Sequence, residues 1–136
     1  MQRTDRLILA AGALALAAGT AAAAAAAHIE NAVDASRLGS TSQMLLIHGL
    51  GLIVLAVVGE AWPALKRPSR WTAALLALGL ALFCGSLLLA VAADTSTSLA
   101  PLGGGLIMLS WLIMLLAALC HPLAPKRPGG EGGNSV

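Results

Sequence analysis

The sequence predicts an all-α membrane protein: a four-transmembrane-helix antiparallel bundle with both termini cytoplasmic. Three observations predict it. Of the 136 residues 58% are hydrophobic and only 10% charged, with a mean hydropathy of +0.86, whereas soluble domains carry roughly 25% charged residues. Four apolar runs, each about 20 residues long, suffice to cross a hydrocarbon core of about 30 Å at about 1.5 Å of helical rise per residue. Of the 8 Lys and Arg residues, all but Arg37 fall on segments that an antiparallel path brings to one side, and the positive-inside rule makes that side cytoplasmic. These are Arg3 and Arg6 before the first run, Lys66, Arg67 and Arg70 between the second and third, and Lys126 and Arg127 after the fourth. The division that follows is a cytoplasmic amino-terminal segment (1–6), a four-helix transmembrane domain (7–122) and a flexible cytoplasmic tail (123–136).

The first run, Leu7 to Ala27, closes on seven consecutive alanines. Its basic start, Leu/Ala stretch and Ala-x-Ala sites before His28 imitate a secretory signal peptide. The uncharged run is nevertheless longer than the roughly 7 to 15 residues of a signal h-region, and three further spans follow it. A retained first span is expected, and the intact mass of membrane-extracted protein separates a start at Met1 from one near His28. Gly12, Gly19 and the alanine face are where this helix should approach its neighbours, because small side chains let backbones come close.

His28 to Ser42 is polar, with Glu30, Asp34 and Arg37, and Gly39-Ser40-Thr41 reads as a turn. The second span should then run from about Gln43 to Trp62-Pro63, where tryptophan suits the headgroup level and proline stops the helix. A short basic loop leads to the third run, Thr72 to Ala93. Asp94 to Ser98 turn the chain back into the fourth, Leu99 to Cys120. Cys84 and Cys120 differ in depth by roughly 15 to 20 Å on this path, too far for a disulfide, and both read as small apolar packing groups. No heptad seam, long repeat or soluble domain stands out.

The second span alone carries ionisable residues within its limits, His48 and Glu60. His48 lies about five residues inside it. An ionisable group there is a candidate functional residue by default and should face the bundle. The favoured reading is a neutral imidazole bonded across helices, near His28 or the Gly103-Gly104 end of the fourth helix; proton handling, a quinone or lipid-headgroup contact and metal binding are the functional alternatives. His28, Glu30 and His48 are expected to meet in an outer-face polar cap. With no HxxxH or HExxH spacing, no metal site is expected. Glu60, close in sequence to Lys66 and Arg67, should snorkel to the interface.

Gly85, Ser86, Gly103 and Gly104 are expected to be close helix contacts, with Pro101 starting the fourth helix, where a missing N–H costs little, and Trp111 beyond. A phosphate-binding glycine loop does not fit, since no strand precedes these glycines and no Lys-Ser/Thr follows. No nucleophile, base and orienting acid come together at one depth, so neither enzymatic activity nor a cofactor is expected. Nucleic-acid binding is not expected, for lack of a basic stripe with interleaved aromatics.

Three local patterns together resemble one family. Ala26-Ala27-His28 follows a small-residue helix, Gln43-Met44 precedes His48-Gly49, and Phe83-Cys84-Gly85-Ser86-Leu87 leads to Pro101-Leu102-Gly103-Gly104 and Trp111. This is similar to the small bacterial inner-membrane family typified by YgdD, related to eukaryotic transmembrane protein 256 and of unknown function, over about residues 5 to 120. The family tends to place glycines and an aromatic before its first histidine and tyrosines near the second histidine and after Gly-Ser; this chain has alanine, Ser42 and leucine there, and no tyrosine. The resemblance implies a four-helix protein of the inner membrane and brings no catalytic activity. The expectation is a structural or accessory subunit, partnered by the lipid bilayer and by a larger membrane complex, a respiratory one among the candidates, or by its own copies. The alternative is a small transporter or channel that uses His48 and Glu60.

Overall fold

The computed structural model describes residues 1–121, so the tail expected to be flexible (123–136) lies outside the described residues. Four helices follow in order: α1 (Arg3–Ala26), α2 (Ala32–Ala61), α3 (Lys66–Ala93) and α4 (Ala100–Cys120), with a single 3-10 turn, Pro63–Leu65, between α2 and α3. Each is long and apolar enough to cross a membrane. The chain is therefore an all-α, multi-pass membrane protein whose helices alternate in direction, with Met1 and His121 at the same end of the bundle.

The main departure from the sequence reading is α2, which runs unbroken through Gly39-Ser40-Thr41 for 30 residues, about 45 Å. Its start is fixed eleven residues before Gln43 by Asn31, whose Oδ1 accepts hydrogen bonds from the Val33 and Asp34 amides at 2.9 and 3.4 Å. Such a cap satisfies amides that the first turn leaves free. Arg37 reinforces that turn by donating to Asp34 at 3.0 Å. Leu38, Thr41 and Ser42 are buried, and their packing overrides the local turn preference, which is only a weak prior. In the second hairpin α3 stops at Asp94, whose left-handed φ of 49° is a conformation that Asp tolerates better than most residues. Pro101 occupies the first turn of α4 as expected.

The helices pack in sequence order, α1 on α2, α2 on α3 and α3 on α4, while α1 touches α3 only lightly and shares no packed face with α4. The core lies where α2, α3 and α4 converge, on Leu52, Leu55, Leu76, Leu80, Cys84 and Ile107. Both cysteines are free thiols, Cys84 buried and Cys120 exposed.

Glycines set the two closest crossings. A Cβ placed on Gly12 of α1 would lie 2.7 Å from the Gly49 carbonyl oxygen and from Ile53 Cγ1 of α2; a Cβ on Gly79 of α3 would lie 2.9 Å from the Gly103 carbonyl oxygen and Ile107 Cγ1 of α4. The reverse contacts match too, with Gly49 against Gly12 and Leu16, and Gly103 against Gly79 and Phe83. The two hairpins are therefore copies of one packing unit. The repeat is legible once aligned: Gly49-Leu-Gly-Leu-Ile-Val-Leu55 and Gly103-Gly-Gly-Leu-Ile-Met-Leu109 share five of seven residues. The expectation of no long repeat is corrected to this extent: the two hairpins share one packing register, and its sequence signature is these seven residues set among degenerate Leu, Ala and Gly.

Candidate functional site

Two polar sites bear on function, one at His48 midway along α2 and one at the end where α1 begins. Because α2 starts at Ala32, His48 sits about 24 Å of helix away from that start, instead of near the outer end. Its Nδ1 lies 2.9 Å from the Met44 carbonyl oxygen one turn back. A carbonyl only accepts, so Nδ1 is the donor in this bond. The half-buried ring also lies 6.3 Å from the Trp111 ring, inclined at 43°. His48 thus satisfies itself within its own helix and reaches α4 through Trp111, not through Gly103-Gly104.

The expected outer-face cap of His28, Glu30 and His48 does not form. His28 and Glu30 are exposed in the segment joining α1 to α2, a long way along the helix from His48. Among the described residues no group of three or more His, Cys, Asp and Glu side chains is placed to hold a metal. Replacing His48 with leucine removes one intrahelical bond and a ring contact, and should shift stability by no more than about 1 kcal/mol. Denaturant titration of the detergent-solubilised protein measures this.

The second polar group was missed by sequence reasoning. Asp5, only 2% exposed, lies in the first turn of α1 and receives a two-pronged hydrogen bond from Arg70 at the start of α3, Nε to Oδ1 at 3.0 Å and Nη2 to Oδ2 at 2.8 Å. Gln2 joins it twice: its amide donates to Asp5 Oδ2 at 3.2 Å, and its Oε1 accepts from Arg70. Glu60, at the end of α2, pairs with Lys66 Nζ at 2.7 Å, as its sequence neighbourhood suggested, and its Oε2 lies 3.6 Å from the amino terminus. Three helices are thereby tied at one end by charge-assisted bonds, the stronger kind. The available clue was an acidic residue set between Arg3 and Arg6, just before the apolar run at Leu7.

The Arg70 hydrogen bonds hold the Asp5 carboxyl down at about 2, below its ordinary 3.8, and outweigh burial, which alone would raise it. A depressed carboxyl stabilises the fold fully above its unfolded value and loses that contribution as pH falls through the folded one. Stability of the purified chain should accordingly drop between about pH 4 and pH 2, the window set by these two values. Thermal unfolding of wild type and Asp5→Asn across that range checks it: the variant should lack this step.

The packing candidates divide. Gly103 is pressed against Phe83 and Gly79, and Ser86 is buried; Trp111 covers Gly51, where a Cβ would meet its ring at 2.8 Å. Gly104 makes only an ordinary contact, 3.9 Å from Phe83 Cδ2, and Gly85 has nothing within 4 Å. Gly85 is thus no close contact among the described residues, because the α1–α2 and α3–α4 crossings leave a groove of about 360 Å³ between α1 and α3 at its level. The buried hydroxyls of Thr41, Ser69, Thr72 and Ser86 have no hydrogen-bond partner among the described residues, whereas Ser110 donates to the Ile107 carbonyl at 2.7 Å.

Residues 21–104 match the family model described as "Protein of unknown function (DUF423)". That match spans more than half of the chain, and the chain belongs to this family. It agrees with the resemblance to the YgdD-like proteins. No curated protein and no solved structure matches the chain.

Proposed function

We propose that this member of the DUF423 family is a non-catalytic packing subunit of the bacterial inner membrane, with both termini cytoplasmic, that stands beside other helices in a larger membrane assembly. The observation that carries the reading is the internal pairing of its ionisable groups. Asp5 is held by Arg70, Glu60 by Lys66, and His48 by its own helix. Groups that must load and release protons or substrate in a membrane line a cavity or a water-filled route. Here α2 offers only Gly and aliphatic residues between His48 and Glu60, and the Ser110 hydroxyl is engaged with the Ile107 carbonyl. What the chain does offer its surroundings is helix surface rich in small and aliphatic residues, the material of helix association in lipid.

Proteoliposomes test the reading against its rival. A packing subunit gives no ion or proton flux above empty vesicles, and His48→Leu and Glu60→Gln leave the trace unchanged. Flux that both substitutions abolish would establish the transporter or channel and overturn the proposal.

A further inference from the structure

The internal repeat identifies which surface of the chain is incomplete and what fits it. Hairpin α1–α2 becomes hairpin α3–α4 when Gly12 is laid on Gly79 and Gly49 on Gly103, as the matching contacts require. Both hairpins enter the membrane from the same end, so the operation relating them turns about the membrane normal. It involves little rise along that normal, because equivalent stretches of α1 and α3 lie abreast: Thr4 to Ala11 share one groove with Arg70 to Ala77, and Ala11 to Ala18 share the next with Ala77 to Leu88.

Under this operation α2 corresponds to α4, and α3 corresponds to the α1 of a following unit. Within the chain the α2–α3 interface is the most buried part of the core: Leu52 and Leu55 are each 2% exposed and Leu76 is fully buried. Leu106, which stands where Leu52 stands, is half-buried, and the other two repeat equivalents are left open. Leu109 of α4, which stands where Leu55 stands in α2, is 46% exposed, and Leu9 of α1, which stands where Leu76 stands in α3, is 38% exposed. Gly51 touches Trp111 and Leu76, but its equivalent Gly105 has nothing within 4 Å. The two open faces are the two halves of an interface that the molecule already builds once.

We propose that a second copy of this chain fills it, the α4 face around Gly105 and Leu109 of one protomer receiving the α1 face around Leu9 of the next, in the manner of α2 on α3. This rests on the packing role proposed above and names its partner. The antiparallel sense is right, since α4 and α1 run oppositely just as α2 and α3 do. The contact is head-to-tail, so it propagates around a ring or along a row instead of ending at a symmetric pair.

Paired cysteines test it. In a Cys120→Ser background, with the buried Cys84 retained, one tagged chain carries Leu9→Cys and a second, differently tagged chain carries Gly105→Cys. Gly51 Cβ would lie 3.8 Å from Leu76 Cδ2, so the equivalent Leu9 and Gly105 should face each other across copies, and thiols placed there should meet far more often than thiols elsewhere on the two helices. Oxidation of membranes containing both chains should yield a mixed-tag dimer several-fold more abundant than same-tag dimers from either chain alone. A companion pair, Leu14→Cys with Met108→Cys, two positions at 72% and 71% exposure, should give only the background level. Gly105→Leu, whose added Cβ has no atom of the described residues within 4 Å, should leave the monomer folded and weaken association at least about tenfold. Equal yields from both cysteine pairs, or undiminished association of Gly105→Leu, would overturn the proposal. So would a folded chain found only as a monomer beside a different protein, although that result would leave the packing role standing; ion flux would remove the role itself.

Discussion

Gly103→Leu is expected to lose the native α3–α4 hairpin and with it most of the folded protein. A Cβ at position 103 would run into the Phe83 backbone and lie 2.7 Å from the Gly79 carbonyl oxygen. Backbone atoms in two helices cannot step aside as a flexible side chain can, so the helices must separate, and the Gly79 to Ile107 contacts separate with them. Overpacking a tight interior costs about 1 to 3 kcal/mol, occasionally more, and this site belongs at the upper end. Gly105→Leu, two residues along the same helix in open space, should change monomer stability by no more than about 0.5 kcal/mol. Denaturant titration of both variants in one detergent separates close approach at position 103 from a general intolerance of bulk in α4.

Arg70→Leu should be the most damaging change at the polar end, and more damaging than its combination with Asp5→Leu. Removing the guanidinium leaves the Asp5 carboxylate almost fully buried without its two strong donors. Removing both groups leaves an apolar contact between α1 and α3. Breaking a buried pair is costly, while replacing the whole pair with apolar residues is often neutral. The prediction is an ordering, with the single variant less stable than the double one. If the double variant is the less stable, the pair supplies net stability instead of compensating a buried charge.

Architecture was legible because lipid demands long apolar helices, and four such runs can be counted directly. The ends were less legible. Gly39-Ser40-Thr41 carries turn residues, yet the Asn31 cap and the burial of Leu38, Thr41 and Ser42 keep it helical. That extension moved His48 to mid-helix and dissolved the expected cap with His28 and Glu30. Gly12 and Gly19 of α1 were found from their small size, whereas Gly49 and Gly79, equally close to their partners, were passed over; composition does not say which glycine faces a neighbour and which, like Gly85, faces space. Asp5 and Arg70 stand 65 residues apart in sequence, and nothing local pairs them. Their meeting follows from the fold, in which α1 and α3 lie abreast at one end.

The most direct test of the packing role is the native mass of the protein released from membranes in a gentle detergent or a lipid nanodisc. The account predicts species heavier than one 13.6 kDa chain, holding more than one protein subunit together with lipid. A single chain as the sole species, at every concentration and in the gentlest medium, would contradict it.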